Sequence, residues 1–310
     1  MTFNENFQRG LYVHVPFCSK KCQYCAFHSM VADETFVGHY LQGFAAEAEA
    51  RKQSIGTVVF DTLYFGGGTP SVLPESQLRQ LLRAVLERYS FAPGSEKTFE
   101  ANPSSLTRDK LNILVEMGIN RLSLGVQSFS PHLLTAVGRN SNSQQVYRCL
   151  AEAAAAGIEN VSLDLMFGLP GQTWADWHDS LQRTVASGVF HISAYALSVE
   201  EGTPMADAVK KQTLSLPTEE EEADMYSYML EYLPAKGYRH YEISSFAKPA
   251  GESRHNSLYW TGGDYLALGS GAVGMWQGRR YTNTTDLPRY AEQWLEGRET
   301  LDDEEFPDIQ

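Results

Sequence analysis

Long apolar runs, a leader-like start, basic charge and cysteine are all scarce in this 310-residue sequence. No apolar stretch approaches the ~20 residues that a membrane-spanning helix needs. The opening residues, M-T-F-N-E-N-F-Q-R-G, lack the charged segment followed by an apolar run that marks a secretory leader. Basic residues number 25 against 38 acidic ones, for a formal net charge of −13. That deficit disfavours non-specific nucleic-acid binding and any polybasic hold on anionic lipid, so no nucleic-acid partner is expected. With four cysteines in so long a chain and no export signal, a disulfide framework is disfavoured, and a cytoplasmic protein with reduced thiols is expected.

What is present points to a soluble α/β protein. A hydrophobic share of 43% supports a sizeable core, and the length allows one large domain plus a smaller appendage. The acidic runs Glu219–Glu222 and Asp302–Glu305 read as solvated faces.

Three of the four cysteines fall within eight residues, in L-Y-V-H-V-P-F-C-S-K-K-C-Q-Y-C-A-F, Leu11 to Phe27. Leu11–Val15 reads as a buried strand stopped by Pro16, and the loop after it carries Cys18, Cys22 and Cys25. C-x3-C and C-x2-C spacings on a short loop bring soft thiolates to one point. Three ligands leave one iron of a four-iron cluster open to another molecule. A Cys3His zinc site with His14 or His28 as fourth ligand is the main alternative. A thioredoxin-like pair in Cys22 and Cys25 would leave Cys18 unexplained. Cys149 stands alone in a helical pattern and reads as packing.

Along the chain, apolar strand patterns alternate with helical ones. Strands are expected at Leu11–Val15, Thr57–Phe65, Lys97–Ala101, Arg121–Phe129, Val161–Pro170 and His191–Leu197. Helices are expected at Asp33–Lys52, Pro74–Tyr89, Thr107–Met117, Ser143–Ala156 and Trp174–Ser187. Six strand-then-helix units predict a parallel sheet with right-handed crossovers, an open or partial (βα)6 barrel, with chemistry at the C-terminal strand ends. Gly67, Glu100, Gln127 and Asp164 cluster there. From about Pro204 the pattern changes, which divides the chain into residues 1–203 and a small α+β C-terminal extension, 204–310. In the extension, Thr218 and Glu221 suggest a capping box for a helix to Leu233, Tyr238–Phe246 reads as one strand, and Leu287–Leu295 as a last helix. The acidic tail after it is expected to fray.

Gly66-Gly67-Gly68 has no following Gly-Lys-Ser/Thr, so it is not a Walker A loop. Glycines at a strand end instead let a ligand approach the backbone closely. Gly269–Gly274 formally matches G-x-G-x-x-G, but G-M-W-Q-G-R-R-Y follows, with no opening helix and no suitably spaced acid, which argues against a dinucleotide site.

The C-x3-C-x2-C after a strand, with Tyr24 before the last cysteine, resembles the radical S-adenosylmethionine (SAM) superfamily. That resemblance implies a [4Fe-4S] cluster on Cys18, Cys22 and Cys25, SAM chelating the open iron, and reductive cleavage of SAM to a 5′-deoxyadenosyl radical. Further segments in order (F-G-G-G-T-P-S-V-L, F-E-A-N-P, N-R-L-S-L-G-V-Q-S-F, L-D-L-M-F-G-L-P-G-Q-T and H-N-S-L-Y-W) resemble the branch that holds oxygen-independent coproporphyrinogen III oxidases and HemW haem chaperones. By that resemblance, Tyr12, Tyr24, Gly67, Gly68, Thr69 and Glu100 lie at the SAM site, Gln127, Arg139 and Asp164 line a second SAM position in the oxidase, and Ala196 lies near adenine.

The oxidases carry a further cysteine where this chain has Phe27, as HemW proteins do, although Ala26 stands where those usually have Asp. H-N-x-x-Y-W, His255 to Trp260, is linked to haem in the HemW group; His255 is a candidate axial ligand, with a hydrogen-bonded structural role as the alternative. Val273 replaces a common histidine, and the sequence stops at Gln310 where HemW proteins usually continue into another small domain. The resemblance implies a protein that binds SAM and carries haem, or another tetrapyrrole, to client haemoproteins. It also implies an electron donor for the cluster and peripheral contact with membrane-held clients. The alternative it implies is a radical enzyme, decarboxylating a porphyrinogen or transferring methyl groups.

Overall fold

The computed structural model describes residues 8–307. Strand β1 (Arg9–Val15) ends at Pro16, which has no N–H to give to a ladder. The parallel pair β2 (Phe17–Cys18) and β3 (Met30–Val31) follows. Helix α1 (Glu34–Ile55) opens on Asp33, whose carboxylate accepts from the Thr35 and Phe36 amides. The chain then alternates through β4 (Val59–Gly67), α2 (Glu75–Leu86), β5 (Ser90–Ala101), α3 (Arg108–Glu116) and β6 (Arg121–Gln127). After α4 (Pro131–Ala136) and α5 (Ser143–Ala155) come β7 (Asn160–Phe167), α6 (Trp174–Ala186) and β8 (His191–Ala196). Asn142 and Thr173 open α5 and α6 with reciprocal capping boxes.

Strands β1, β4, β5, β6, β7 and β8 pair in that order and all in parallel. These are the six expected strand-then-helix units, and the fold is the α/β fold of a partial barrel. The side chains alternate strictly along the strands. Leu11, Val13, Leu63, Phe65, Leu122, Leu124, Leu163 and Leu165 are buried in the hydrophobic core. The residues between them are polar: Tyr12 and His14, Thr62 and Tyr64, Thr98 and Glu100, Arg121 and Ser123, Ser162 and Asp164. Hydrogen bonds join neighbours on this second face, Tyr64 to Glu100 and Ser123 to Asp164. An apolar layer therefore faces the helices, and a polar layer lines the concave side.

The remaining elements are α7 (Pro204–Lys210), α8 (Glu219–Ala235), β9 (Arg239–Glu242), β10 (Ser245–Ala247), α9 (Arg254–Thr261), β11 (Asp264–Leu268), β12 (Val273–Trp276), β13 (Arg279–Asn283), α10 (Leu287–Leu295) and β14 (Leu301–Glu305). Their strands lengthen both edges of the same sheet. β10 adds antiparallel to β8, and β11 adds parallel to β1. The result is one twelve-stranded sheet running from β14 to β9.

Two expectations change here. Tyr238–Phe246 is a hairpin rather than one strand, because Glu242 accepts from the Ser244 amide and turns the chain. The acidic tail does not fray but forms β14, whose glutamates meet the arginines of β13, Glu304 on Arg279 and Glu305 on Arg280. The Gly269–Gly274 stretch is the turn from β11 into β12 and opens no helix. Cys149 is fully buried, its thiol directed at the Pro103 carbonyl at 3.5 Å, as a packing residue. No helix among the described residues is long and apolar enough to cross a membrane.

Candidate functional site

The cysteine loop leaves β1 at the C-terminal end of the sheet. Two amides pin its ends: Met30 N–H donates to the Pro16 carbonyl at 2.9 Å and Ala32 N–H to Cys18 at 2.8 Å. Cys22 and Cys25 share a turn closed by the Cys25 amide on the Cys22 carbonyl, 3.3 Å. The three thiols are each half-buried. Burial raises the Cys18 and Cys25 pKa values above that of a free thiol, and charge at neighbouring cysteines adds to this. Among the described residues no three His, Cys, Asp or Glu side chains close on one point as a single metal ion would require.

The glycine loop after β4 is built against this one. Gly68 N–H donates to the Val15 carbonyl at 2.9 Å and Thr69 N–H to Phe17 at 2.7 Å, while the Thr69 hydroxyl lies 3.5 Å from Cys18 Sγ. A Cβ on Gly68 would come within 2.6 Å of the Phe17 carbonyl oxygen, and one on Gly67, at φ +106°, within 2.7 Å of the His14 ring. The glycines thus admit neighbouring protein, a tighter requirement than ligand approach alone.

Behind the loop, the concave face gathers most of the sequence candidates. Tyr64 donates to Glu100 Oε1 at 2.6 Å. Burial pushes the Glu100 carboxyl up to about 7, the Asp164 charge adding to it. Tyr12 donates to or accepts from His14 Nδ1 at 3.0 Å. Asp164 accepts from the Ser123 hydroxyl at 2.8 Å and from Ser162 at 3.0 Å; burial still raises its pKa. Gly125 faces Asp164 across the β6–β7 ladder, and its carbonyl accepts from Arg139 Nη2 at 2.5 Å. Arg139 Nε is buried with no partner. Gln127 sits at the β6 bulge with φ +66°, a left-handed conformation rare outside glycine. Tyr24 lies near Arg139, whose charge opposes the burial that raises its phenol pKa. Ala196 ends β8 on the rim of a groove of about 510 Å³ lined also by Phe167, Tyr195, Glu222, Tyr226 and Ile243.

His255 is placed differently. It is fully buried on α9, with Nδ1 2.8 Å from the Thr62 hydroxyl, Nε2 3.1 Å from the Tyr259 hydroxyl, and its ring stacked on Tyr64 at 5.1 Å. Burial, with the Arg121 charge nearby, lowers its pKa to about 3. Both nitrogens are engaged, while Tyr259 and Trp260 beside it are exposed.

The match of the Radical SAM superfamily model covers residues 12–184. Heme chaperone HemW of Bacillus subtilis is 39% identical over 285 residues, covering 91% of this chain and 75% of that protein. HemW of Lactococcus lactis is 37% identical over 279 residues, covering 90% and 73%. The chain belongs to the radical SAM superfamily, in the HemW family. Coproporphyrinogen III oxidase (HemN) from Escherichia coli, a radical SAM enzyme, superposes with a TM-score of 0.85 at 25% identity, over 97% of this chain and 72% of that one.

The residues fit the cofactors of the superfamily. Three thiols lie on one loop, and His14 has both ring nitrogens engaged, by the Tyr12 hydroxyl at 3.0 Å and the His28 carbonyl at 2.9 Å, while His28 Nε2 is 3.2 Å from the Ser270 hydroxyl. His14 is thereby removed as the fourth ligand of a Cys3His zinc site, whereas a three-thiolate cluster needs no fourth protein ligand. The unpartnered Arg139 Nε, next to the strained Gln127, is an open donor of the kind a SAM carboxylate takes up. Sequence reading missed Tyr64, which holds Glu100, and Ser123 and Ser162, which hold Asp164, as well as the buried Arg121, whose charge lowers the pKa of both carboxyls while its side chain bonds Thr98. Their signal was there, since they are the polar members of alternating strands.

Proposed function

We propose that this protein holds a [4Fe-4S] cluster on Cys18, Cys22 and Cys25, binds SAM beside it, and carries haem for delivery to haemoproteins. The observation that carries the reading is the three-cysteine loop beside a His14 engaged at both nitrogens, in a chain with Phe27 where the oxidases add a cysteine. When bound, the cluster supplies single electrons and one open coordination position. The protein's own residues supply the rest. Thr69 sets its hydroxyl against Cys18; Glu100, shared with Tyr64, accepts from ribose hydroxyls; Arg139 Nε, backed by Gln127, clamps a carboxylate; Asp164 is held on two serine hydroxyls. Tyr12, Tyr24, Gly67, Gly68 and Ala196 complete the SAM pocket in this reading. His255 joins α9 to β4 as placed, and ligating iron through it requires Tyr259 to swing away. The partners implied are haem, a client haemoprotein, membrane-held in some cases, and a one-electron donor.

The test is anaerobic reconstitution followed by haemin titration. The wild type should take up about four iron and four sulfide per chain, lose them in Cys18→Ser, and bind haemin. Cluster loading unchanged in Cys18→Ser, or no haemin binding, would refute the reading.

A second reading, radical chemistry on a porphyrinogen, is favoured by the grouping of Gln127, Arg139 and Asp164 around Gly125. Vinyl products from coproporphyrinogen III under anaerobic reducing conditions would establish it, and their absence would exclude it.

A further inference from the structure

The polar face of the sheet holds the site described above, and the other face packs on helices. On β8, Ser193 points to the polar side, its hydroxyl 3.4 Å from that of Ser162, so its neighbours Ala194 and Ala196 point to the helical side. There α8 closes on the sheet through Met225, Met229 and Leu233, which are buried. Nearer its start, the same helix presents Glu219, Glu222, Ala223 and Tyr226 on one face. Three alanines stand where larger side chains would fill the space, Ala194 and Ala196 from the sheet and Ala223 from the helix. They leave the groove of about 510 Å³, walled by the Phe167 ring, whose centroid is 6.0 Å from that of Tyr226. That volume lies within the ~300–1,000 Å³ of small-ligand pockets.

The rim is apolar and braced. Ile243, in the turn between β9 and β10, is 63% exposed. Its carbonyl accepts from the Tyr226 hydroxyl at 3.4 Å and from His240 Nε2 at 3.2 Å, which fixes the backbone that carries it. The charge at the rim is of one sign. Glu219 and Glu222 line the groove, and no lysine, arginine or histidine does. Neither carboxylate has an ion-pair or hydrogen-bond partner among the described residues, whereas Glu221 between them is taken by the capping box on Thr218.

We propose that this groove docks an extended segment of a partner protein in which apolar side chains adjoin lysine or arginine. The apolar side chains fill the space between Phe167, Tyr226 and Ile243, and the cations meet Glu219 and Glu222. The unpaired carboxylates favour this occupant over two others. A porphyrin would bring its own carboxylates against them, and a second copy of this chain, at a formal net charge of −13, would bring like charge. The groove forms without cluster, SAM or haem, so its binding is separable from the carrier reading. Under that reading, a client haemoprotein supplies the segment.

The measurement is fluorescence anisotropy of a labelled peptide, Lys-Leu-Phe-Lys-Leu-Lys, titrated with the anaerobically reconstituted full chain. The controls are the same peptide with Glu for Lys, and with Ser for Leu and Phe. The wild type should bind the first peptide and neither control. Ala223→Trp, at an exposed helix position, fills the groove without entering the core and should weaken binding about tenfold or more, as should Glu222→Lys. Ala223→Ser should bind as the wild type does. Iron content, haemin binding and SAM binding should be unchanged in all three variants. Equal binding of either control, wild-type affinity in Ala223→Trp, or no binding by the wild type would overturn the docking groove. Displacement of the peptide by haemin or SAM would assign the space to that ligand and overturn it too. A wild type that takes up no cluster and no haemin would overturn the carrier reading alone, with peptide binding still deciding the groove.

Discussion

Replacing Glu100 by Gln tests the electrostatics of the concave face most directly. The carboxyl is pushed up to about 7 mainly by burial and next by the Asp164 charge, while the Tyr64 hydroxyl at 2.6 Å pulls it back. Its folded pKa therefore lies above the unfolded value. The folded protein holds a proton there that the unfolded chain releases, so this group's contribution to stability is complete below the unfolded pKa, near 4.5, and is lost as pH rises toward 7. At 1.36 kcal/mol per pKa unit the change amounts to roughly 3 kcal/mol, an upper limit because the side chain is only partly shielded from water. Gln keeps the shape and removes the titration. Urea unfolding from pH 4.5 to 8 should show the wild type losing stability relative to Glu100→Gln by about 2–3 kcal/mol, with the difference level above pH 8. SAM, a cation, should bind more tightly as Glu100 ionises, with affinity rising from pH 6 to 8 in the wild type and flat in the variant. A stability difference between the two proteins that does not move with pH would refute this account.

Gly68→Ala places a methyl within 2.6 Å of the Phe17 carbonyl, and should cost about 1–3 kcal/mol and reduce iron retention on anaerobic gel filtration. Wild-type iron content would contradict the claim that the two loops are built against each other. Glu47 is fully buried and accepts from the Gly269 amide at 2.7 Å, the Asn283 side chain at 2.6 Å and the Tyr290 hydroxyl at 2.5 Å. Glu47→Ala should lower unfolding stability by about 3 kcal/mol or more, and a loss under about 1 kcal/mol would mean the network is slack. Gln127→Gly relieves the φ of +66° and should raise stability by up to about 1 kcal/mol while weakening SAM binding in equilibrium dialysis. Unchanged SAM affinity would remove Gln127 from the pocket.

Much of this protein is legible in its sequence because the signals are local. A cysteine spacing, a capping box at Thr218 and Glu221, or a strand ending in three glycines involves residues within a few positions of each other, and the backbone forms it with little help. The order of six parallel strands follows from the alternation of strand and helix patterns. The candidates Gln127, Arg139 and Asp164 were placed by resemblance, and the bulge that strains Gln127 lies at the strand end where chemistry was expected.

Tertiary structure decided the rest, since contacts between distant segments depend on packing that no local pattern records. β11 lies parallel to β1, and the acidic tail becomes an edge strand because the arginines of β13 wait beside it. His255, in a motif suggestive of a ligand, is turned inward by Thr62 of β4 and Tyr259 of its own helix. His178 stands in no motif at all, yet the Tyr228 hydroxyl, from a helix fifty residues on, holds its Nδ1 at 2.6 Å. Residue type and spacing determined which chemistry the chain carries; packing between segments determined which atoms are free to perform it.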